Sequence, residues 1–103
     1  MSTVNVSLRI RPGKREEFLQ ALQSIQNNLK LEADFSKSTL YQNTNDSSAF
    51  YLIEEWATQD SMESYIRSER FSLLMGVLKV LCAESEIKYQ FNTGKMGAKI
   101  AEI

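Results

Sequence analysis

Histidine is absent from the chain of 103 residues. The side chain that most often moves protons near neutral pH and most often ligates metals is therefore missing. What remains for chemistry is a small set of carboxylate, phenol, indole and amide groups. Glu54, on an otherwise apolar strand, has two readings: a buried carboxylate with a raised pKa that serves as general base, or an interface salt bridge to an arginine. Trp56 either stacks on an aromatic ring and donates from its indole nitrogen, or anchors the core at a strand end. Asn5 sits on the opposite parity from Val4 and Val6, where it points into a cavity and binds a substrate oxygen, or faces solvent or a partner. Arg9 and Tyr51 are further polar groups on central strands. Cys82 is the lone cysteine; without a neighbouring base to activate it, it reads as a small core hydrophobe and not a nucleophile.

The elements that must position these groups show in the apolar spacing. Val4, Val6, Leu8 and Ile10 alternate with polar residues, which predicts a strand. Pro12-Gly13 then opens a helix with Phe18, Leu22, Ile25 and Leu29 along one stripe. A strand over 35–43, breakers at Asn43, Asn45, Asp46 and Ser47, and a strand over 50–56 form a hairpin. Asp60 and Glu63 have capping-box spacing and start a short helix carrying Met62, Tyr65 and Ile66; Ser68 caps a second. In that second helix Phe71, Leu74, Leu78 and Leu81 make one stripe and Leu73, Val77 and Val80 another, so it is expected to be buried on two sides or to line a cavity. Gly76 within it suggests close packing or room for a ligand. A strand over 86–92 follows. Residues 93–103 carry Met96, Ile100 and Ile103 and either drape over a neighbour or stay disordered. The expected organisation is one domain over 1–92 with a tail over 93–103.

This βαββαβ order predicts an α+β fold of ferredoxin-like topology, an antiparallel sheet with helices on one face. Strand residues of both parities are apolar around 50–53, so the open face needs a second surface. A homodimer supplies it most simply; the alternative is that aromatic rings cap an exposed sheet. The balance of 12 Lys+Arg against 13 Asp+Glu, with pI ≈ 5.5, provides no field for nucleic acid or anionic lipid. An RNA-recognition domain shares the element order, but its stacking aromatics on the first strand are missing and Glu54 and Glu55 stand on the third. No apolar stretch reaches the length of a membrane span and no signal peptide is evident, so a cytoplasmic location is expected.

The run Arg11-Pro12-Gly13-Lys14 leading to Phe18, then Tyr51-Leu52-Ile53-Glu54-Glu55-Trp56, then Ser61-Met62-Glu63-Ser64-Tyr65 and Ser68-Glu69-Arg70-Phe71, resembles the antibiotic biosynthesis monooxygenase (ABM) superfamily. The resemblance covers about residues 3–92. It implies a dimeric α+β barrel with a pocket between sheet and helices, in which some members oxygenate phenols and quinols with dioxygen and no metal or organic cofactor. Tyr65 stands where many members carry histidine, and Met75 where the haem-cleaving branch ligates iron, which speaks against haem cleavage here. Asn5 is only a loose counterpart of that branch's asparagine. On this resemblance the catalytic candidates are Tyr65, Trp56 and Asn5, and the substrate-binding candidates are Tyr51, Glu54, Met62, Phe71, Leu74, Met75 and Leu78. The expected reaction is oxidation of a small aromatic phenol or quinol. The competing expectation is a non-catalytic dimeric module that binds a small hydrophobic ligand.

Overall fold

The computed structural model describes residues 1–92 and 98–102. Its elements run β1 (Ser2–Ile10), α1 (Arg15–Leu29), β2 (Phe35–Gln42), β3 (Ala49–Trp56), α2 (Gln59–Ile66), α3 (Glu69–Leu81), β4 (Cys82–Asn92) and β5 (Ala98–Glu102). The strands form one antiparallel sheet in the order β2-β3-β1-β4-β5. The first four strands and the helices reproduce the ferredoxin-like α+β arrangement expected from the sequence. The fifth strand is a departure, since residues 98–102 extend the chain's own sheet along β4, from Asn92↔Ala98 to Lys88↔Glu102. Met96 and Ile103 lie outside the described residues. Among the described residues no helix is long and apolar enough to cross a membrane.

Alternation sorts each strand into two faces. Val4, Val6, Leu8 and Ile10 of β1, with Phe50, Leu52 and Trp56 of β3, turn toward the helices. They meet Phe18, Leu22, Ile25 and Leu29 of α1 and Phe71, Leu74, Leu78 and Leu81 of α3 in one buried core, joined by Cys82. The helix starts differ from expectation in detail. Gly13 takes a left-handed conformation (φ 76) that turns the chain, and α1 begins only at Arg15. Thr58, not Asp60, caps α2, its hydroxyl accepting from the Ser61 amide at 3.1 Å. Ser68 caps α3 as expected. This cap ends α2 after two turns and lets the chain change direction before α3.

The structure changes two readings at α3. Its second stripe is largely uncovered, with Leu73 59% and Val80 67% exposed and only Val77 partly buried against the core. Of the two readings of Gly76, close packing is excluded, because a Cβ there would meet nothing within 4 Å. A two-layer domain has no third layer to cover the outward side of a helix. The far face of the sheet is likewise less apolar than the sequence suggested. Tyr51 and Ile53 lie on it beside Asn5, Ser7 and Arg9, whose cross-strand partners place them there.

Burial therefore separates two kinds of apolar residue. Leu52→Ala, at the centre of the core, is expected to lower unfolding free energy by about 2–5 kcal/mol. Val80→Ala should change it by no more than about 0.5 kcal/mol. Urea unfolding of both variants checks the assignment of the inner and outer stripes.

Candidate active site

One row of residues crosses the helix-facing side of the sheet: Ser38 of β2, Glu54 of β3, Val4 of β1 and Tyr89 of β4. Glu54 is 0% exposed. Neither carboxylate oxygen has a hydrogen-bond partner. Its cross-strand neighbour Ser38 is engaged elsewhere, its hydroxyl accepting from Gln26 Nε2 at 2.9 Å. Burial pushes the Glu54 carboxyl from 4.5 up to about 7, and the Tyr65 hydroxyl tempers that rise. Tyr65 is thus close enough to act on the carboxylate without forming a well-aligned hydrogen bond to it. The Tyr65 phenol is itself driven upward, first by burial and then by the Glu54 charge.

Aromatic rings enclose this carboxylate. Tyr65 stacks on Trp56 with centroids 4.8 Å apart and planes at 29°. Phe35, opposite Trp56 in the β2–β3 register, meets it edge-on at 5.3 Å. Phe71 meets Tyr65 edge-on at 5.3 Å and reaches Tyr89 at 6.3 Å. The stack has a local origin. Trp56 ends β3 and Thr58 starts α2 at once, so the second turn of α2 carries Tyr65 back over the indole. Trp56 Nε1 and the Tyr65 hydroxyl are, like the Glu54 oxygens, buried and without partners. Four such atoms in one cluster are unusual, because each unsatisfied buried polar group costs about 1–3 kcal/mol.

The sequence candidates divide between the two sides of the sheet. Glu54, Trp56, Tyr65 and Phe71 come together, with Met62 and Leu74 fully buried on the same side. Leu78 lies one turn further along α3, and Met75 is half-buried against the core. Asn5 and Tyr51 are corrections. They pair with Ile53 and Ser7 on the outer face, and the Asn5 amide donates to the Thr3 hydroxyl at 3.0 Å. Odd and even residues of one strand cannot share a face, so neither can reach Glu54. The reading of Glu54 as an interface salt bridge is also corrected: it points to the helices and, among the described residues, meets no cation.

Among the hollows formed by the described residues, two that adjoin the sheet bear on the site. One of about 650 Å³ lies on the outer side and the far end, lined by Arg9, Tyr41, Tyr51 and Glu86 among others. It is polar, and Arg9 is held there by Asp46 and Glu84. Although larger, it lies away from the buried cluster. The second, of about 370 Å³, runs between α1 and β2 and is lined by Gln23, Gln26, Lys30, Phe35 and Ser38. Phe35 and Ser38 are the β2 neighbours of Trp56 and Glu54. This hollow abuts the cluster, separated from it by the Phe35 ring and the Gln26–Ser38 hydrogen bond. Sequence reasoning missed Phe35, Gln26, Ser38 and Tyr89, whose relation to Glu54 exists only once strands pair. Among the described residues no group of three or more His, Cys, Asp or Glu side chains is placed to hold a metal ion.

Comparison with known proteins sets this geometry among relatives. The profile of the family described as antibiotic biosynthesis monooxygenase matches residues 1–75. YcnE of Bacillus subtilis (strain 168), which carries the provisional name of a monooxygenase, is 24% identical over 71 residues, 69% of this chain and 75% of its own. Among solved structures, a conserved protein of Methanosarcina mazei Go1 superposes with a TM-score of 0.77 at 23% identity, covering 87% of this chain and 90% of that one. SnoaB of Streptomyces nogalater, a cofactor-independent oxygenase, superposes at 0.77 with 15% identity, covering 92% and 95%. At these identities the structural likeness bears on the fold.

The Glu54 ionisation has a consequence for stability. Its folded-state pKa lies above the unfolded value, so between about 4.5 and about 7 the folded protein keeps a proton that the unfolded chain releases. Stability from this group is greatest at low pH and falls as pH rises through that window, by about 3 kcal/mol in all. Glu54→Gln should flatten this part of the pH profile. Thermal unfolding of both proteins at intervals from acid to alkaline pH checks it, and parallel profiles would contradict a buried, unpaired carboxylate.

Proposed function

Because the chain belongs to the antibiotic biosynthesis monooxygenase family, we propose that it oxidises a small phenol or quinol with dioxygen at the Glu54–Trp56–Tyr65 cluster, without a metal or organic cofactor. The observation that carries this reading is Glu54, a fully buried carboxylate with both oxygens unpaired and a pKa near neutrality. A phenol must become its anion before dioxygen can readily take an electron from it. Glu54 accepts the phenolic proton, and the protonated carboxyl holds it until the peroxide forms. The phenolate transfers one electron to dioxygen, and the two radicals combine at a ring carbon to give a peroxide anion, which takes the held proton back from Glu54 to become a hydroperoxide and so restores the carboxylate. Cleavage of the O–O bond leaves one oxygen on carbon as a carbonyl and releases the other as water. The substrate supplies both electrons and both hydrogens of that water, so no outside reductant is needed.

The ring approaches through the hollow between α1 and β2. A volume of about 370 Å³ lies within the range of small-molecule sites. Phe35 turns aside and the incoming ring takes its place against Trp56, exchanging one aromatic contact for another of similar strength. Trp56 Nε1 then donates to a substrate oxygen, which gives the orphaned donor its partner.

We also propose that a second copy of the chain covers the outer sheet face. Tyr41 and Tyr51 are paired across strands there, 54% and 40% exposed, and Ile53 lies beside them. Sedimentation equilibrium should give a dimer at micromolar concentration, and Tyr51→Glu should weaken it at least about tenfold by burying a charge. A wild-type monomer at that concentration would remove this part of the proposal.

Oxygen uptake by the metal-free protein over a panel of hydroquinones and anthrols tests the activity. At least one substrate should give saturable uptake, with kcat rising with pH as Glu54 ionises around 7. Glu54→Gln should lower kcat by about a hundredfold or more, the usual weight of a general base, and Trp56→Phe should raise KM. Rates equal to the protein-free background across the whole panel would instead favour a non-catalytic ligand-binding module.

A further inference from the structure

The hollow between α1 and β2 has a chemical character that removal of a phenolic proton does not use. On its helix side Gln26, Asn27 and Lys30 lie within one turn of each other at the C-terminal end of α1. On its strand side the β2–β3 register shifts between Phe35 and Lys37, leaving Ser36 as an extra residue. Phe35 and Ser38 would face opposite ways on a regular strand; with the shift they pair with Trp56 and Glu54, which both turn inward. Lys37 is opposite Glu55 instead, and its ammonium lies 3.8 Å from that carboxylate. Among the described residues Lys30 has no ion pair and no side-chain hydrogen bond, and no acidic residue lines the hollow. The inner end is thus closed by the Phe35 ring against Trp56. The rim holds half-buried Gln26, exposed Asn27 and one uncompensated cation, exposed Lys30.

From this arrangement we propose that the substrate is a phenol or quinol that also carries a carboxylate, on the side of its ring system away from the reacting hydroxyl, and that Lys30 selects it. The inference rests on the reading of Glu54 and Trp56 as the place of the reacting hydroxyl. With the hydroxyl there, the ring takes the place of Phe35 and its far side points back to the rim. The Lys30 ammonium and the Gln26 and Asn27 amides are the donors that an anionic oxygen meets on that side. A carboxylate next to the hydroxyl would instead be carried inward beside Glu54, where two negative charges in apolar surroundings repel and neither is hydrated. Glu54 excludes one isomer and Lys30 favours the other. Because Lys30 is exposed, water and salt screen its attraction, and the preference it confers is several-fold and not of many orders of magnitude.

Binding is measured by titration calorimetry without oxygen, so that nothing is turned over, and failure of the oxygenase reading and failure of selection by Lys30 are separate results. Three ligands are compared: a plain naphthol, the naphthol with a carboxylate on its distal ring, and the isomer with the carboxylate adjacent to the hydroxyl. At low ionic strength the distal acid should bind about fivefold or more tighter than the plain naphthol, and the adjacent acid more weakly than either. Lys30→Gln should remove the gain of the distal acid and leave the plain naphthol unchanged, whereas Lys30→Arg should keep the gain. Lys79→Gln, the same change of net charge at a residue of α3 that does not line the hollow, should leave all three affinities in place. Equal affinity for the plain naphthol and the distal acid overturns the proposal. So does a preference that survives in Lys30→Gln or falls equally in Lys79→Gln, and so does failure of all three ligands to bind. Oxygen uptake with neutral phenols and no gain from the carboxylate would remove selection by Lys30 and leave the oxygenase reading standing; selective binding without uptake would do the reverse.

Discussion

Glu54 occupies the middle of β3 between Leu52 and Trp56, both turned inward and both buried. The fold accepts there an ionisable group that it does not satisfy. The cost of keeping it charged, about 3 kcal/mol by its shift, is a sizeable part of the roughly 5–15 kcal/mol by which domains are stable. It is tolerated because the surrounding core is otherwise continuous. Val4, Val6, Leu52 and Leu74 have no exposed surface at all. A leucine at position 54 would complete that core, so the carboxylate is a liability for stability that makes sense as a chemical group.

The positions of the rings around it follow from how the chain leaves β3. Thr58 caps α2 only two residues after Trp56, and α2 is 8 residues long. A longer helix would carry its buried side past the indole. The Ser68 cap then restarts the chain as α3, which presents Phe71 to Tyr65 at an edge-on angle of 76°. Two short capped helices thus close over Glu54 more tightly than one continuous helix of the same length. The opposite wall is β2, an edge strand without a helix of its own beyond it, and it is there that the hollow next to the cluster opens.

Much of this architecture was legible in the chain. The alternation of Val4 to Ile10, the 4-3-4 spacing of Phe18, Leu22, Ile25 and Leu29, and the Ser68 cap each placed an element correctly, because these signals are local. Nearly every mistaken expectation concerns something non-local. Alternation shows that Asn5 and Val4 face opposite ways, and likewise Tyr51 and Leu52, but not which way the helices lie. Glu54 appeared suited to an interface for the same reason. The second apolar stripe of α3 suggested two covered sides, and only the layer count shows that Leu73 and Val80 have nothing above them. Residues 98–102 gave no strand signal strong enough to stand apart from their role as an edge beside β4. Phe35, Ser38 and Tyr89 carry no motif, and their place beside the cluster depends on strand register alone.

In the proposed reaction a chain without histidine has few options for removing a phenolic proton near neutral pH, and burial of a carboxylate changes more than its pKa. When a neutral imidazole takes a proton from a neutral phenol, a cation and an anion are created together, and an apolar site opposes both. When carboxylate takes that proton, one negative charge moves from Glu54 to the substrate and none is made. The desolvation cost was met when the protein folded, which is why the pKa is raised to about 7, and it is relieved at the moment the proton is accepted. The transfer therefore starts from a destabilised base and ends with a neutral carboxyl, leaving the charge on the ring, where delocalisation spreads it and dioxygen can draw on it. Among the described residues no cation is paired with Glu54, which suits the proposed step: a lysine or arginine there would stabilise the carboxylate and remove its driving force.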